Sequence, residues 1–206
     1  LSGVSPFLTE AASGIVMFLF NFILLRISGN VGVAAFGVIT VISLVVIAMY
    51  TGLSQGIQPI LSRSYGSGKQ KDVSSILKYA MFTMLLLSAV IYFIIFFKAA
   101  AVTSVFNSEQ DRLLADFAVK GLRIYFTACP FIGVNIVLAT YFISTEKPIL
   151  AQSISALRGF IVLIPMAFLL SAIGGMTGVW CAYPMTELLV AAAAIMLYKN
   201  RRSHSI

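Results

Sequence analysis

Charge is what this chain has least of. Of its 206 residues only 10% are Asp, Glu, Lys or Arg, and 60% are apolar, where a soluble domain carries ~25% charged residues. A water-facing surface of the usual kind cannot be built from that supply. Histidine occurs once, as His204 in the C-terminal tail, and the two cysteines, Cys129 and Cys181, both lie inside apolar runs. No Cys–His constellation, disulfide framework or metal site can be drawn from them, so neither an enzyme nor a bound cofactor is expected. The net charge is +7, but the basic residues stand singly between apolar stretches. Without a basic patch interleaved with stacking aromatics, a nucleic-acid partner is excluded as well. No signal peptide precedes the first apolar run, and the chain opens at Leu1 rather than Met. It reads as a fragment whose beginning lies upstream.

What the chain has instead is long apolar runs, with a mean hydropathy of +1.00. Six spans can be read, at about 4–25, 33–53, 76–97, 122–143, 159–175 and 178–198. Each is near the ~20 residues that cross a bilayer, so the expected fold is an all-α integral membrane protein. The connections ISGNVG and GGMTG are short and glycine-rich, which makes antiparallel neighbours of the spans they join. The segment NSEQDRLLADF, with charges of alternating sign, is expected to form a short helix along the membrane surface.

Six spans put both chain ends on one side. Arg63, Lys69, Lys71, Lys78, Lys147, Lys199, Arg201 and Arg202 share that side, against Arg26, Lys98, Arg112, Lys120 and Arg123 opposite. The excess favours termini in the cytoplasm of a multi-pass cell-membrane protein. Arg158 would lie near mid-membrane if the fifth span began at Ile149. Starting that span at Gly159 places Arg158 at the cytoplasmic interface, with ILAQSISAL as a helical extension, and avoids a buried guanidinium. That register is preferred.

Two carboxylates sit where carboxylates are costly: Glu10 in the first span and Glu187 near the middle of the sixth. A charge at membrane depth costs ~2.5–3.5 kcal/mol on the lenient insertion scale, so an intramembrane acid is a transport-site candidate by default. At ~100° per residue, Glu10, Gly14, Met17 and Asn21 fall on one narrow stripe that can line a hydrated cavity. Alternatively, Glu10 complements the N-terminal dipole of a helix started at Pro6, and Asn21 is an interhelical hydrogen-bonding group. Pro184, three residues before Glu187, should loosen its turn, and broken helices beside an acid are used to build sites in transporters. An interior structural hydrogen bond is the plainer role for Glu187. Asn135 and Tyr141 are further secondary candidates. Pro130 and Pro165 are expected to kink the fourth and fifth spans. The YGSGK stretch lacks the strand–helix context of a phosphate loop, so Gly66 and Gly68 read as turn residues.

GLSQGIQPILSRSYGSGK (52–69) resembles the Gln-x-x-Gln-Pro … Asn-Tyr-Gly-Ala-Lys signature that follows the eighth helix of multidrug and toxic compound extrusion (MATE) transporters. LRGFIVLIPMAFLLSAIGGMTGVWCAYPMTELL is similar to that family's eleventh and twelfth helices, and Pro6 with Glu10 to the start of its seventh. The resemblance covers essentially the whole chain, in order. It implies the C-terminal six-helix lobe of a twelve-helix transporter, with the N-terminal lobe as its missing partner. Such transporters expel small cationic or amphipathic drugs through alternating access in exchange for H⁺ or Na⁺, among membrane lipids.

Three departures from the pattern matter. Arg63 and Ser64 stand where the family favours small residues and Asn, Gly159 replaces the usual Gln, and the fourth span lacks the aspartate of the sodium-coupled branch. Coupling or substrate binding would then rest on Glu10 with Asn21, or on groups of the other lobe. The alternative within the same superfamily is a flippase of lipid-linked saccharides. It would need more cations in the cavity than Arg26, Arg123 and Arg158.

Overall fold

The computed structural model describes the backbone of residues 4–203 and the side chains of residues 16–200. Among these, the regular elements are all helical: α1 (Val4–Gly66), α2 (Gln70–Phe106), α3 (Arg112–Tyr125), α4 (Cys129–Ser144), α5 (Pro148–Ala156) and α6 (Leu163–Ser203). A 3₁₀ turn, Phe126–Ala128, joins α3 to α4, and a π-helical turn, Leu157–Ile161, lies between α5 and α6. Counted through these turns, four helices are long and apolar enough to cross a membrane: Val16–Gly66, Gln70–Phe106, Arg112–Ser144 and Pro148–Asn200.

The first and last of these are 51 and 53 residues long, more than twice what one crossing needs. Each contains a glycine that leaves the helix, Gly29 at φ 62°, ψ −154° and Gly175 at φ 52°, ψ −133°, a region open to glycine and strained for other residues. The chain reverses at both. Phe20 and Phe36 would stand ~24 Å apart along a straight helix, yet their rings stack with centroids 5.3 Å apart. A Cβ on Gly178 would overlap the carbonyl of Leu170, on the other side of the Gly175 turn. Both long helices are therefore hairpins, with their bends at the glycine-rich turns ISGNVG and GGMTG.

The two internal irregularities follow from prolines. A proline has no N–H for the carbonyl four residues earlier. Pro130 frees Phe126, where the 3₁₀ turn begins, and Pro165 frees Ile161, where the π turn ends. The kinks expected at these prolines thus take the form of a tightened turn and a widened one.

The expectation of a separate surface helix over NSEQDRLLADF is corrected. Residues 107–111 make the turn, and the Asp111 carboxylate caps α3 by accepting from the amides of Leu113 and Leu114. From Arg112 the helix runs on through the 3₁₀ turn into α4. An Asp N-cap stabilises a helix start firmly, and Phe117, Ala118, Val119 and Leu122 pack against the core while Leu113 is exposed.

Packing follows the helical repeat. Along α2 the buried residues are Val73, Leu77, Ala80, Met84, Ser88, Ile91, Ile95, Ala99 and Thr103, one stripe at intervals of three and four. It faces a core that includes Ile39 and Tyr50 of α1, Leu122 of α3 and Trp180 of α6. Glycines permit the closest approaches: a Cβ on Gly133 would meet Met84, and one on Gly121 would meet Ile39 and Trp180.

Candidate functional site

The polar groups inside this bundle are arranged, not scattered. Along the second arm of α1, Tyr50, Ser54 and Gln58 are spaced at four residues and share a face. Each meets a polar group of α4: the Tyr50 hydroxyl donates to the Cys129 carbonyl (3.3 Å), Ser54 and Thr140 bond through their hydroxyls, and Ser144 donates to the Gln58 carbonyl (3.4 Å). Tyr50 also donates to Ser88 of α2 at 2.8 Å, and Ser88 in turn donates to the Met84 and Cys129 carbonyls. In a medium that offers backbone and hydroxyl groups no water, such contacts fix the helices in register.

The second arrangement is charged. Glu187, fully buried in α6, receives two N–H bonds from Arg158 on Oε1, Nε at 3.0 Å and Nη2 at 2.8 Å. Its other oxygen, Oε2, accepts from Asn135 Nδ2 at 2.7 Å, and the same amide nitrogen lies 3.1 Å from the Glu187 backbone carbonyl. Asn135 is itself fully buried. Tyr183, one helical turn before Glu187, is near enough to interact with both Glu187 and Arg158, and its ring stacks on Tyr125 with centroids 4.5 Å apart and planes 6° from parallel. Three helical segments thus converge on one carboxylate: α4 through Asn135, the π turn through Arg158, and α6 itself.

The π turn is what brings Arg158 there. Before it, Ala151 and Ile154 are the buried positions, and Arg158 continues their face at an interval of four. After it, the buried positions are Leu163 and Ala167 rather than Val162 and Met166. The turn, closed by Val162 N–H donating to the Leu157 carbonyl at 3.0 Å, absorbs one extra residue. Arg158 and the core residues on both sides of it can then point the same way.

Each residue singled out from the sequence can now be placed. Glu187 and Asn135, both secondary candidates, come together. The helix runs from Pro148, in keeping with the helical extension expected over ILAQSISAL, but the expectation that Arg158 escapes burial is corrected: its guanidinium is turned inward onto Glu187, with 19% of its side chain exposed. A buried guanidinium was to be avoided only while it had no partner. Tyr141 is half-buried, its ring edge-on to Tyr198 at 5.3 Å. Asn21 is half-buried and Met17 is 53% exposed, so this stripe of the first arm lies at the margin of the bundle. The Glu10 side chain lies outside the described residues. Tyr125 and Tyr183 were not anticipated. The spacing of Tyr183 and Glu187 at i and i+4 carries the signal for one of them, but only the folded hairpin brings Tyr125 near.

Chemically, Glu187 is a satisfied carboxylate. Its Oε1 is held by a guanidinium and its Oε2 by an amide, so its charge is compensated in place. Among the described residues no cluster of His, Cys, Asp and Glu could hold a metal ion.

Comparison with known proteins agrees with this architecture. The family described as MatE matches residues 7–169. The FAD transporter of Shewanella oneidensis is 26% identical over 169 residues, covering 80% of this chain and 36% of that protein. The multidrug export protein MepA of Staphylococcus saprophyticus is 23% identical over 195 residues, covering 95% of this chain and 42% of MepA. Among solved structures, the inward-facing conformation of a multidrug resistance MATE family transporter of the MOP superfamily superimposes with a TM-score of 0.89 at 17% identity, covering 96% of this chain and 46% of that one. The chain therefore spans less than half the length of these relatives. With that match across most of its residues and a multi-pass helical fold to go with it, the chain belongs to the MatE family.

Proposed function

We propose that this chain is one six-crossing lobe of a secondary active exporter, with its termini in the cytoplasm. Working against a second lobe by alternating access, it expels cationic or amphipathic compounds in exchange for H⁺ or Na⁺. The observation that carries this reading is the MatE match over residues 7–169; that two of the four long helices reverse at a glycine supports a count of six crossings. Similarity to a multidrug export protein supports the substrate class.

Within this reading Glu10 is the coupling acid and Asn21 its neighbour, because Glu187 already has its charge compensated. The flippase alternative gains nothing here: it needs unpaired cations in the cavity, and Arg158 is paired. The test is dye efflux by the full-length protein in vesicles, with a pH gradient and a Na⁺ gradient imposed separately. One of the two should drive export of a cationic dye. Failure of both, with transport of a lipid-linked saccharide instead, would favour the flippase.

A further inference from the structure

Glu187, Asn135 and Tyr183 together have the make-up of a site for a small hard cation: a carboxylate, an amide and a phenol, oxygen donors of the kind such ions take. What occupies the centre is Arg158. Its two donors both go to Oε1, at 3.0 and 2.8 Å, while Oε2 is left to Asn135. The Asn135 amide turns its nitrogen toward Glu187 and leaves its Oδ1, buried, with no hydrogen-bond partner among the described residues. An amide oriented by a carboxylate in this way has its own oxygen in reserve. The arrangement is also not an accident of a long side chain, since the helix takes a π turn at Leu157–Ile161 that keeps Arg158 facing inward.

We propose that Arg158 is a tethered counter-cation that fills the cation position of the Glu187–Asn135–Tyr183 cluster, making this part of the lobe indifferent to Na⁺ and H⁺. The inference rests on the exporter reading and adds a determinant of ion specificity to it: the free coupling ion must be handled elsewhere. A guanidinium is suited to this because it stays protonated at any working pH and forks onto a carboxylate. The groups facing Glu187 are Arg158 from the π turn, Asn135 from α4, Tyr183 from its own helix and, behind Tyr183, Tyr125 of α3. None of the uncharged ones can replace Arg158's charge. Removing the guanidinium should therefore expose a vacancy that Na⁺ or a proton on Glu187 fills.

The test is thermal unfolding of the purified full-length protein in NaCl against choline chloride at equal ionic strength, at pH 6 and pH 8. It reads ion binding and not transport, so its outcome is separate from whether the protein exports drugs. Arg158→Gln should gain a Na⁺-dependent rise in melting temperature of several degrees at pH 8, diminished at pH 6 where a proton competes. Arg158→Gln/Glu187→Gln should lose that gain, and Arg158→Lys should respond as the parent does. Loss in Glu187→Gln alone of a Na⁺ response that the parent shows would overturn the proposal, because Glu187 would then bind the ion with Arg158 present. An Arg158→Gln variant indifferent to both ions would overturn it equally. Should Arg158→Gln yield no folded protein, recovery of yield in the double variant supports an uncompensated carboxylate as the cause. No recovery would show that Arg158 serves packing alone.

Discussion

Glu187 and Arg158 show how a pair of charges inside an apolar bundle is made tolerable. Each alone would be an uncompensated ion; together, with Asn135 on the remaining carboxylate oxygen, they form a satisfied unit. Breaking a buried pair by removing one partner costs about 3–5 kcal/mol, because the other charge is left uncompensated. Glu187→Leu should therefore sharply lower the yield of folded protein, measured by size-exclusion chromatography in detergent. Glu187→Gln leaves the Arg158 charge uncompensated but keeps an acceptor for it and the shape of the site, so it should lose part of that stability, less than Glu187→Leu, and leave efflux by the folded protein largely intact. The acid was visible in the sequence as an anomaly of composition. Its partner was not: the periodicity of Ala151 and Ile154 turns Arg158 inward, but the pairing across 29 residues with Glu187 and the π turn that re-phases the helix after Arg158 lie outside any local reading.

At the scale of elements, glycine and proline did most of what could be read in advance. The turns ISGNVG and GGMTG mark the hairpin bends, and Gly29 is confined by its φ of 62° and ψ of −154°, with nothing within 4 Å of where a Cβ would stand. Gly29→Ala should therefore cost about 1–3 kcal/mol from backbone strain alone. Gly37, helical and equally unobstructed, is its control: Gly37→Ala should be neutral or stabilising by about 0.5–1 kcal/mol. Gly133→Ala tests packing instead, since its Cβ would push into Met84 and Ser88 and should cost about 1–3 kcal/mol. Melting temperatures of the three variants in one detergent separate strain, propensity and packing. The segment 107–117 was misread because its alternating charges look amphipathic in isolation. The Asp111 cap is local and could have been read from the sequence; the burial of Ala118 and Leu122 against α1 and α2 could not, because a local reading does not contain those partners.

At the scale of the whole molecule, the described residues form one helical bundle tied together by interior polar contacts, with Asn21 half-buried at the margin on its first arm. The proposed export cycle asks for two things: a rigid unit, which the Tyr50, Ser54 and Glu187 contacts supply, and a titratable group, the role proposed for Glu10. A glutamate facing a partly dry cavity is harder to ionise than one in water, so a proton and a cationic drug can compete for it. The central claim is that Glu10 is this group and Glu187 is not. The measurement that tests it most directly is gradient-driven efflux of a cationic dye by the full-length protein, comparing Glu10→Gln with Glu187→Gln at matched expression. The account predicts that Glu10→Gln abolishes efflux against a gradient while Glu187→Gln retains most of it. Efflux by Glu10→Gln with the parent's pH dependence, or its loss in a well-folded Glu187→Gln, would contradict the account.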